Sequence, residues 1–277
     1  MVFHLLSTPT LHNKGLLRWT LGVIRKHGIR PRRRFSQNFV VCTRLVQDIL
    51  YHLEQYSPPT ILEVGAGLGT LSYFLSRRFK ATVHVEIDPI LAMIASEFIQ
   101  DPAILIISDA LDLEWNTSAL VSNTPYHISS DILVKTAKSD SVKVAILVLQ
   151  KDVVQRLCAE PGSPRYGRIT VLIKLVFDVR LGPVYPPSCF YPKPDISSQM
   201  ILLSRRRRFS ELPPCIEEVS RRLFIMRRKK ARKVICKELG ICDKNILNTI
   251  GVGETTRIYQ LTPRQIEELA RLWRGTC

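Results

Sequence analysis

No Asp or Glu precedes Asp48, no apolar run approaches a membrane span, and no two of the seven cysteines are spaced as CxxC. Two of these absences remove a class and the third opens one. A spanning helix needs roughly 18 or more consecutive apolar residues, so a membrane-embedded chain is excluded. The opening MVFHLLSTPTLHNKGLLRWTLG is too broken by polar residues for a secretory signal. The cysteines, at 42, 158, 189, 215, 236, 242 and 277, are odd in number and scattered, which argues against a disulfide framework and a zinc site, so no metal is expected and a reducing compartment fits. The acid-free, basic and partly amphipathic start has a second reading as an organellar transit peptide, so a mitochondrial location stands as the alternative to a cytoplasmic one.

What the chain does have is positive charge. It carries 40 basic against 24 acidic residues, a net +16. Within residues 205–233, RRRRFSELPPCIEEVSRRLFIMRRKKARK, 12 basic residues face 3 acidic ones, so +9 of that excess lies in one short segment. Such a concentration suits a polyanion, because each neutralised phosphate adds affinity through counterion release. A solvated helix face or an anionic-membrane patch would use the same residues, but nucleic acid is the better fit.

Short apolar runs alternate with helical stretches: TILEVG, a helix through LGTLSYFLSRRF, ATVHVEI, a helix from Pro89 to Phe98, AILIIS, and later KVAILVLQ. This alternation predicts an α/β fold, a mostly parallel sheet with helices on both faces and a ligand over the carboxyl ends of its strands. A helix should precede it from Thr43, a plausible cap, with apolar residues at 45, 46, 49, 50 and 53. The proline-rich stretch ending in SQMILL reads as a late strand pair of the same sheet. Beyond the arginine run the pattern turns helical, with Thr262 capping and Pro263 in the first turn of the last helix. The expected division is a catalytic domain over 1–207, with 1–34 as a basic arm, and a helical domain over 208–277.

Four constellations carry chemistry. In EVGAGLGT, glycines at 65, 67 and 69 join a strand to a helix and let backbone approach a ligand closely. Their G-x-G-x-G spacing differs from the dinucleotide fingerprint, so a nucleoside without phosphate is at least as good a ligand. Glu86, 21 residues after Gly65 at the next strand's end, can accept from both ribose hydroxyls, as for NAD, FAD or S-adenosylmethionine. Asp109 closes the third strand and can accept from an adenine amine or serve as a turn residue. In SNTPYHIS, the Asn123 side-chain oxygen and a carbonyl of the Pro125 region can accept both hydrogens of an exocyclic amine. That aims its lone pair at an electrophilic methyl, while Tyr126 offers a stacking face.

With FSQNFV, ILEVGAGLGTLS, VEIDP, SDAL, NTPYHIS, LQKDVVQRLCAEPGSPRYGRITVL, CFYPKPDISSQMIL and RIYQLTP in this order, the chain resembles the KsgA-type ribosomal RNA adenine N6-dimethyltransferases, relatives of the erythromycin-resistance enzymes. The resemblance covers about Arg32 to Leu261 and implies a Rossmann-like class I methyltransferase sheet with a small C-terminal helical RNA-recognition domain. It implies that Gln37 and Asn38 close over S-adenosylmethionine, Gly65 and Gly67 line its loop, Glu86 holds its ribose, and Asp109 with Ala110 contacts its adenine. Asn123, which also borders the donor, would present the target amine with Pro125 and Tyr126, and Phe190 would sandwich the base. The chain departs from the family pattern at Ser36, Thr124 and His127, where Gly, Leu and Asn are usual.

The expectation is N6-methylation, by resemblance twice on each of two adjacent adenines in small-subunit ribosomal RNA. The partner would be that RNA within a small subunit or its precursor, the protein acting as a monomer without a membrane. A large-subunit or DNA adenine methyltransferase uses the same chemistry. A nonenzymatic assembly or transcription factor would keep only the fold, and a nicotinamide oxidoreductase leaves NTPY unexplained.

Overall fold

The computed structural model describes residues 8–12, 14–32 and 37–276. The strands, in chain order, are β1 (Phe39–Val40), β2 (Ile61–Val64), β3 (Thr82–Glu86), β4 (Ile104–Ile107), β5 (Ala119–Asn123), β6 (Val144–Gln150), β7 (Phe177–Tyr185), β8 (Phe190–Tyr191) and β9 (Ser198–Arg205). Seven of them form one sheet in the order β4-β3-β2-β5-β6-β9-β7. The pairs from β4 through β6 are parallel and β9 is antiparallel to β6. Strand order reverses between β2 and β5, which creates a crevice at their carboxyl ends. β6 is aliphatic from Val144 to Leu149 and β2 and β5 largely so, as burial on both faces requires.

The chain divides into two compact units, Met1–Ile132 with Ser141–Lys151 and Arg180–Ser204, and Leu133–Asp140 with Asp152–Val179 and Arg205–Cys277. The second unit thus gathers segments that the sequence reading assigns to the sheet domain. The reason is the apolar helix Arg168–Val176, which packs on helices Ile216–Ile225 and Pro263–Leu272. The last of these starts as expected: Thr262 Oγ accepts from Gln265 N at 3.2 Å and Gln265 Oε1 accepts from Thr262 N at 2.9 Å.

In the first unit, the basic stretch is a helix, Gly15–His27, with Leu16, Trp19, Thr20 and Val23 buried at helical spacing. Trp19 and Val23 pack with Phe39, Leu91, Ile94 and Phe98, so these residues belong to the folded core. The helix Thr43–Tyr56 covers the sheet with Leu45, Val46, Ile49, Leu50 and Leu53. Its cap is Cys42 rather than Thr43.

The cysteine reading needs correction. Cys236 and Cys242 form a disulfide, because helix Ala231–Leu239 ends at Gly240 in the left-handed region (φ 70°), and the turn brings the two Cα atoms to 4.4 Å. Six-residue spacing carries no motif that announces such a local staple. Cys42, Cys158 and Cys189 are free thiols. Among the described residues, no helix is long and apolar enough to cross a membrane and no cluster could hold a metal ion.

Candidate active site

The first unit has a cavity at the carboxyl ends of β4, β3, β2 and β5, lined by the loops that follow each strand. Gln37, Asn38, Gly65, Gly67, Glu86, Asp109, Ala110, Asn123, Pro125 and Tyr126 all border it. Ten of the eleven site residues singled out in the sequence therefore share one wall.

Gly65, Gly67 and Gly69 all have positive φ, at 82°, 59° and 83°. The third has a packing role too: a Cβ on Gly69 would lie 3.0 Å from the Cα of Ala95, whose helix Pro89–Ser96 crosses there. The tight turn aims the Gly67 amide at Glu86. Glu86 Oε2 accepts from Gly67 N at 2.7 Å and Oε1 accepts from Asp88 N at 2.9 Å. Burial pushes the Glu86 carboxyl above its ordinary value, against the opposing pull of these amides. Each oxygen retains a lone-pair direction for a ligand hydroxyl.

Asp109 is a turn residue as well as a cavity residue. Its Oδ1 accepts from Leu111 N at 2.8 Å, while the Ala110 carbonyl accepts from Trp115 Nε1 at 2.9 Å. Gln37 is held from two sides: its Oε1 accepts from Arg32 N at 2.8 Å and its Nε2 donates to Asp88 Oδ2 at 3.3 Å. Asp88 was missed in the sequence. It caps helix Pro89–Ser96 through Ile90 N, pairs with Arg32 at 3.4 Å, and so ties the N-terminal segment to the loop after β3. Its position just before Pro89 was the available signal. Ser36 lies outside the described residues.

At the end of β5, Asn123 Nδ2 donates to the Asn38 carbonyl at 2.8 Å, which leaves Oδ1 as its acceptor. The Pro125 carbonyl accepts from Ile128 N at 3.2 Å and Ser129 Oγ at 3.3 Å, which closes the short 3-10 turn Tyr126–Ile128. The neighbouring Thr124 is buried, with its amide donating to Val148 O at 3.1 Å. Tyr126 OH shares a hydrogen bond of 2.9 Å with the buried Ser198 Oγ of β9, and burial raises the Tyr126 phenol. Ser198 is a second missed residue, hidden in a strand.

Phe190 is the exception. The β1–β8 ribbon sets it opposite Val40, and at 2% exposure it joins the core with Leu45, Ile49 and Tyr185. The short strand pairing carries its ring inward, so the structure does not bring it to the cavity.

In the second unit, the basic run divides. Arg205 is buried and donates to the carbonyls of Thr136, Ala137 and Ser139, and Arg207 pairs with Glu267 at 2.9 Å. Arg221 and Arg222 both reach Glu218. Arg227 Nη2 donates to Pro164 O at 2.8 Å and Tyr166 O at 2.9 Å. The side chains of Arg228, Lys229, Lys230 and Lys233 are exposed. Arg227, Arg228, Arg257 and Tyr259 line a shallow cavity with Gly162 and Pro164.

Residues 28–273 match the family model described as ribosomal RNA adenine dimethylase. The chain is 36% identical over 245 residues to a Pyrobaculum islandicum protein named "Probable ribosomal RNA small subunit methyltransferase A", covering 86% of this chain and 94% of that one. It is 31% identical over 268 residues to the Methanothermobacter thermautotrophicus protein of the same name, covering 92% and 96%. Among solved structures, a dimethyladenosine transferase from Plasmodium falciparum gives a TM-score of 0.70 at 20% identity, over 83% of this chain and 95% of that one. The 23S rRNA methyltransferase ErmE gives 0.64 at 22% identity, over 86% and 100%. These two likenesses bear on fold alone, and it is the α/β methyltransferase fold. With one family model spanning nearly the whole chain and relatives above 30% identity along most of its length, the chain belongs to the ribosomal RNA adenine dimethylase family.

Proposed function

We propose that the chain transfers methyl groups from S-adenosylmethionine to N6 of adenine in small-subunit ribosomal RNA, twice on each of two adjacent adenines, acting on the subunit or its precursor. The observation that supports the reading is the Asn123–Asn38 hydrogen bond, which commits Asn123 Nδ2 and keeps Oδ1 as an acceptor on a residue that borders the same cavity as Glu86 and Asp109. Residues present suit the donor: Glu86 keeps acceptor capacity for ribose hydroxyls, and Gly65 and Gly67, both at positive φ, present bare backbone to the cavity. Asp109 Oδ2 and the Ala110 loop suit an adenine edge.

Bound S-adenosylmethionine supplies an electrophilic methyl. The protein's task is to present a weak nucleophile, since the adenine amine's lone pair is delocalised into the ring. Asn123 Oδ1 accepts one N6 hydrogen. The Pro125 carbonyl is engaged in its own turn, so the carbonyl of the Thr124–Pro125 peptide is the one that accepts the other. The amine then directs its lone pair at the methyl carbon, so that the N–C bond would form as the C–S bond of the donor breaks, with the donor leaving as its neutral thioether and one N–H proton passing to solvent, and positioning accounts for most of the rate. Tyr126 stacks the base, with Ser198 fixing the ring through the hydroxyl. The base has to leave its stack to enter such a cavity. We assign RNA recognition to the exposed cations of the second unit, Arg228, Lys229 and Lys230 foremost.

The test is incubation with labelled donor and separated ribosomal RNAs or subunits, followed by nucleoside mass analysis. N6,N6-dimethyladenosine from small-subunit RNA is expected. Label confined to large-subunit RNA, or to none, would overturn the substrate assignment.

A further inference from the structure

The assigned roles do not use the basic N-terminal arm, yet part of it is a folded helix, Gly15–His27, which ends where the family match begins. Its apolar side faces the core. Leu16, Trp19, Thr20 and Val23 are buried, and Trp19 and Val23 pack with Phe39 and Leu91. Phe39 and Leu91 also line the cavity. The helix therefore backs onto the wall of the candidate active site.

The opposite side carries cations that nothing balances. Lys14 at the N-cap, Arg18 and Arg25 fall on one face by helical spacing, across from the buried stripe, and all three are exposed. Arg30, beyond the helix, is exposed as well. The ion pairs of this segment go to Lys26 and His27, which share Glu97, and to Arg32, which meets Asp88. Among the described residues, the other four cations have none. Helix stability is a poor account of this face. Cations near a helix N-terminus oppose the positive end of its dipole, and Lys14 and Arg18, four residues apart, repel each other. Only Arg25, in the last turn, suits the dipole. Solubility is a poor account too, because a face kept for water mixes both signs and this segment has no Asp or Glu.

An anionic lipid surface fits no better. A helix that lies on lipid inserts its apolar side, and here that side is packed inside the protein. A cationic stripe with a closed apolar side suits a phosphate backbone. At a rise of about 1.5 Å per residue, Lys14 to Arg25 spans roughly 16 Å, the reach of several successive phosphates.

We propose that the Lys14, Arg18 and Arg25 face, with Arg30, is a second ribosomal RNA contact, which holds the phosphates of the strand beside the target adenine. The proposal rests on the RNA substrate reading. Arg228, Lys229 and Lys230 belong to the second unit, whereas this face is fixed through Trp19 and Val23 to residues of the cavity wall itself. It reads charge rather than sequence, so it positions the strand without choosing the base.

Lys14→Glu combined with Arg18→Glu separates an RNA contact from a structural role, because the two give opposite signs. Acids at the start of a helix suit its dipole, so the thermal midpoint should hold or rise. Affinity for transcribed small-subunit ribosomal RNA should nevertheless fall about tenfold at about 0.1 M salt, and its salt slope should flatten by about 0.7 to 0.9 for each phosphate no longer neutralised. Adding Arg25→Gln and Arg30→Gln should flatten the slope further, while S-adenosylhomocysteine affinity stays unchanged. Should the fourfold variant fail to fold, the double variant carries the comparison. An unchanged salt slope in the double variant would make the face a solvated one. Loss of RNA and S-adenosylhomocysteine affinity together, with a lowered midpoint, would make it structural. Loss of binding to phosphatidylserine vesicles with RNA affinity intact would make it a lipid contact. Each of these results overturns the proposal alone. A native protein that binds no ribosomal RNA would overturn the substrate reading, and this proposal with it.

Discussion

The Asn123 side-chain amide donates to the main-chain carbonyl of Asn38 at 2.8 Å, across 85 residues of sequence. One bond thus restrains the residue assigned to the target amine and ties it to a segment that borders the same cavity. Asn123→Ala should lower turnover by about a hundredfold, the scale of removing one positioned hydrogen-bonding group from an active site. Donor affinity should change only a few-fold, since Asn38 keeps its place in the chain. Calorimetry for the donor beside single-turnover methylation separates the two effects, and equal losses would contradict the assignment.

Glu86 predicts the reverse pattern. Glu86→Ala should weaken donor binding by roughly tenfold to a hundredfold, because hydrogen bonds to a charged group contribute about 1.5–3 kcal/mol. Its pH dependence has a definite sign. Burial raises the folded-state value, so the folded protein keeps the proton to a higher pH than the unfolded chain. The stability contribution of Glu86 is fully present below the unfolded value and is lost as pH rises through the folded one. Donor affinity should rise over the same window as the accepting carboxylate forms, and Glu86→Gln should flatten both curves. Titration of donor affinity and of thermal midpoint along one pH series checks this.

Much of this site was legible because strand ends carry chemistry in a doubly wound sheet. TILEVG, VHVEI, IISDA and VSNTPY each bring a polar or glycine residue to a strand end, and those residues meet. Partners that act from inside elements were not legible. Ser198 reads as an ordinary strand residue, and only the pairing of β9 with β6 carries it to Tyr126. Phe190, which the resemblance sets against the target base, lies in the core, and a two-residue strand such as β8 shows no alternation from which to tell inward from outward. The compact units group the segments differently from the sequence division, and helix Arg168–Val176, apolar enough to suit either core, gives no sign in the sequence of which it joins.

Tyr126 and Ser198 allow a cycle. Tyr126→Phe keeps the stacking face but leaves the buried Ser198 hydroxyl unpaired, at a cost of about 1–3 kcal/mol. Adding Ser198→Ala removes the orphan, so the double variant should be more stable than Tyr126→Phe alone, and both should retain most activity. Tyr126→Ala should weaken RNA use, because base stacking contributes about 1–3 kcal/mol, while donor binding survives. Urea unfolding of the native protein, the two single variants and the double variant measures the coupling. A Phe variant as inactive as the Ala variant would make the hydroxyl, not the ring, the working group.

The division of the basic run decides which cations to reverse in testing RNA recognition. Arg227 donates to two carbonyls of its own unit, so replacing it would confound binding with folding. Arg228, Lys229 and Lys230 are exposed and adjacent. Reversing these three should leave donor affinity unchanged, weaken RNA binding, and flatten its dependence on salt by about 0.7 to 0.9 in slope for each phosphate that is no longer neutralised. The methylated atom should stay the same, since phosphate contacts position a complex whereas base contacts select within it. RNA affinity at several salt concentrations, measured beside donor affinity, supplies both readouts. An unaltered salt slope would mean that these three side chains face only solvent, and the polyanion surface would then have to be sought in the first unit, around Arg30 and Arg32.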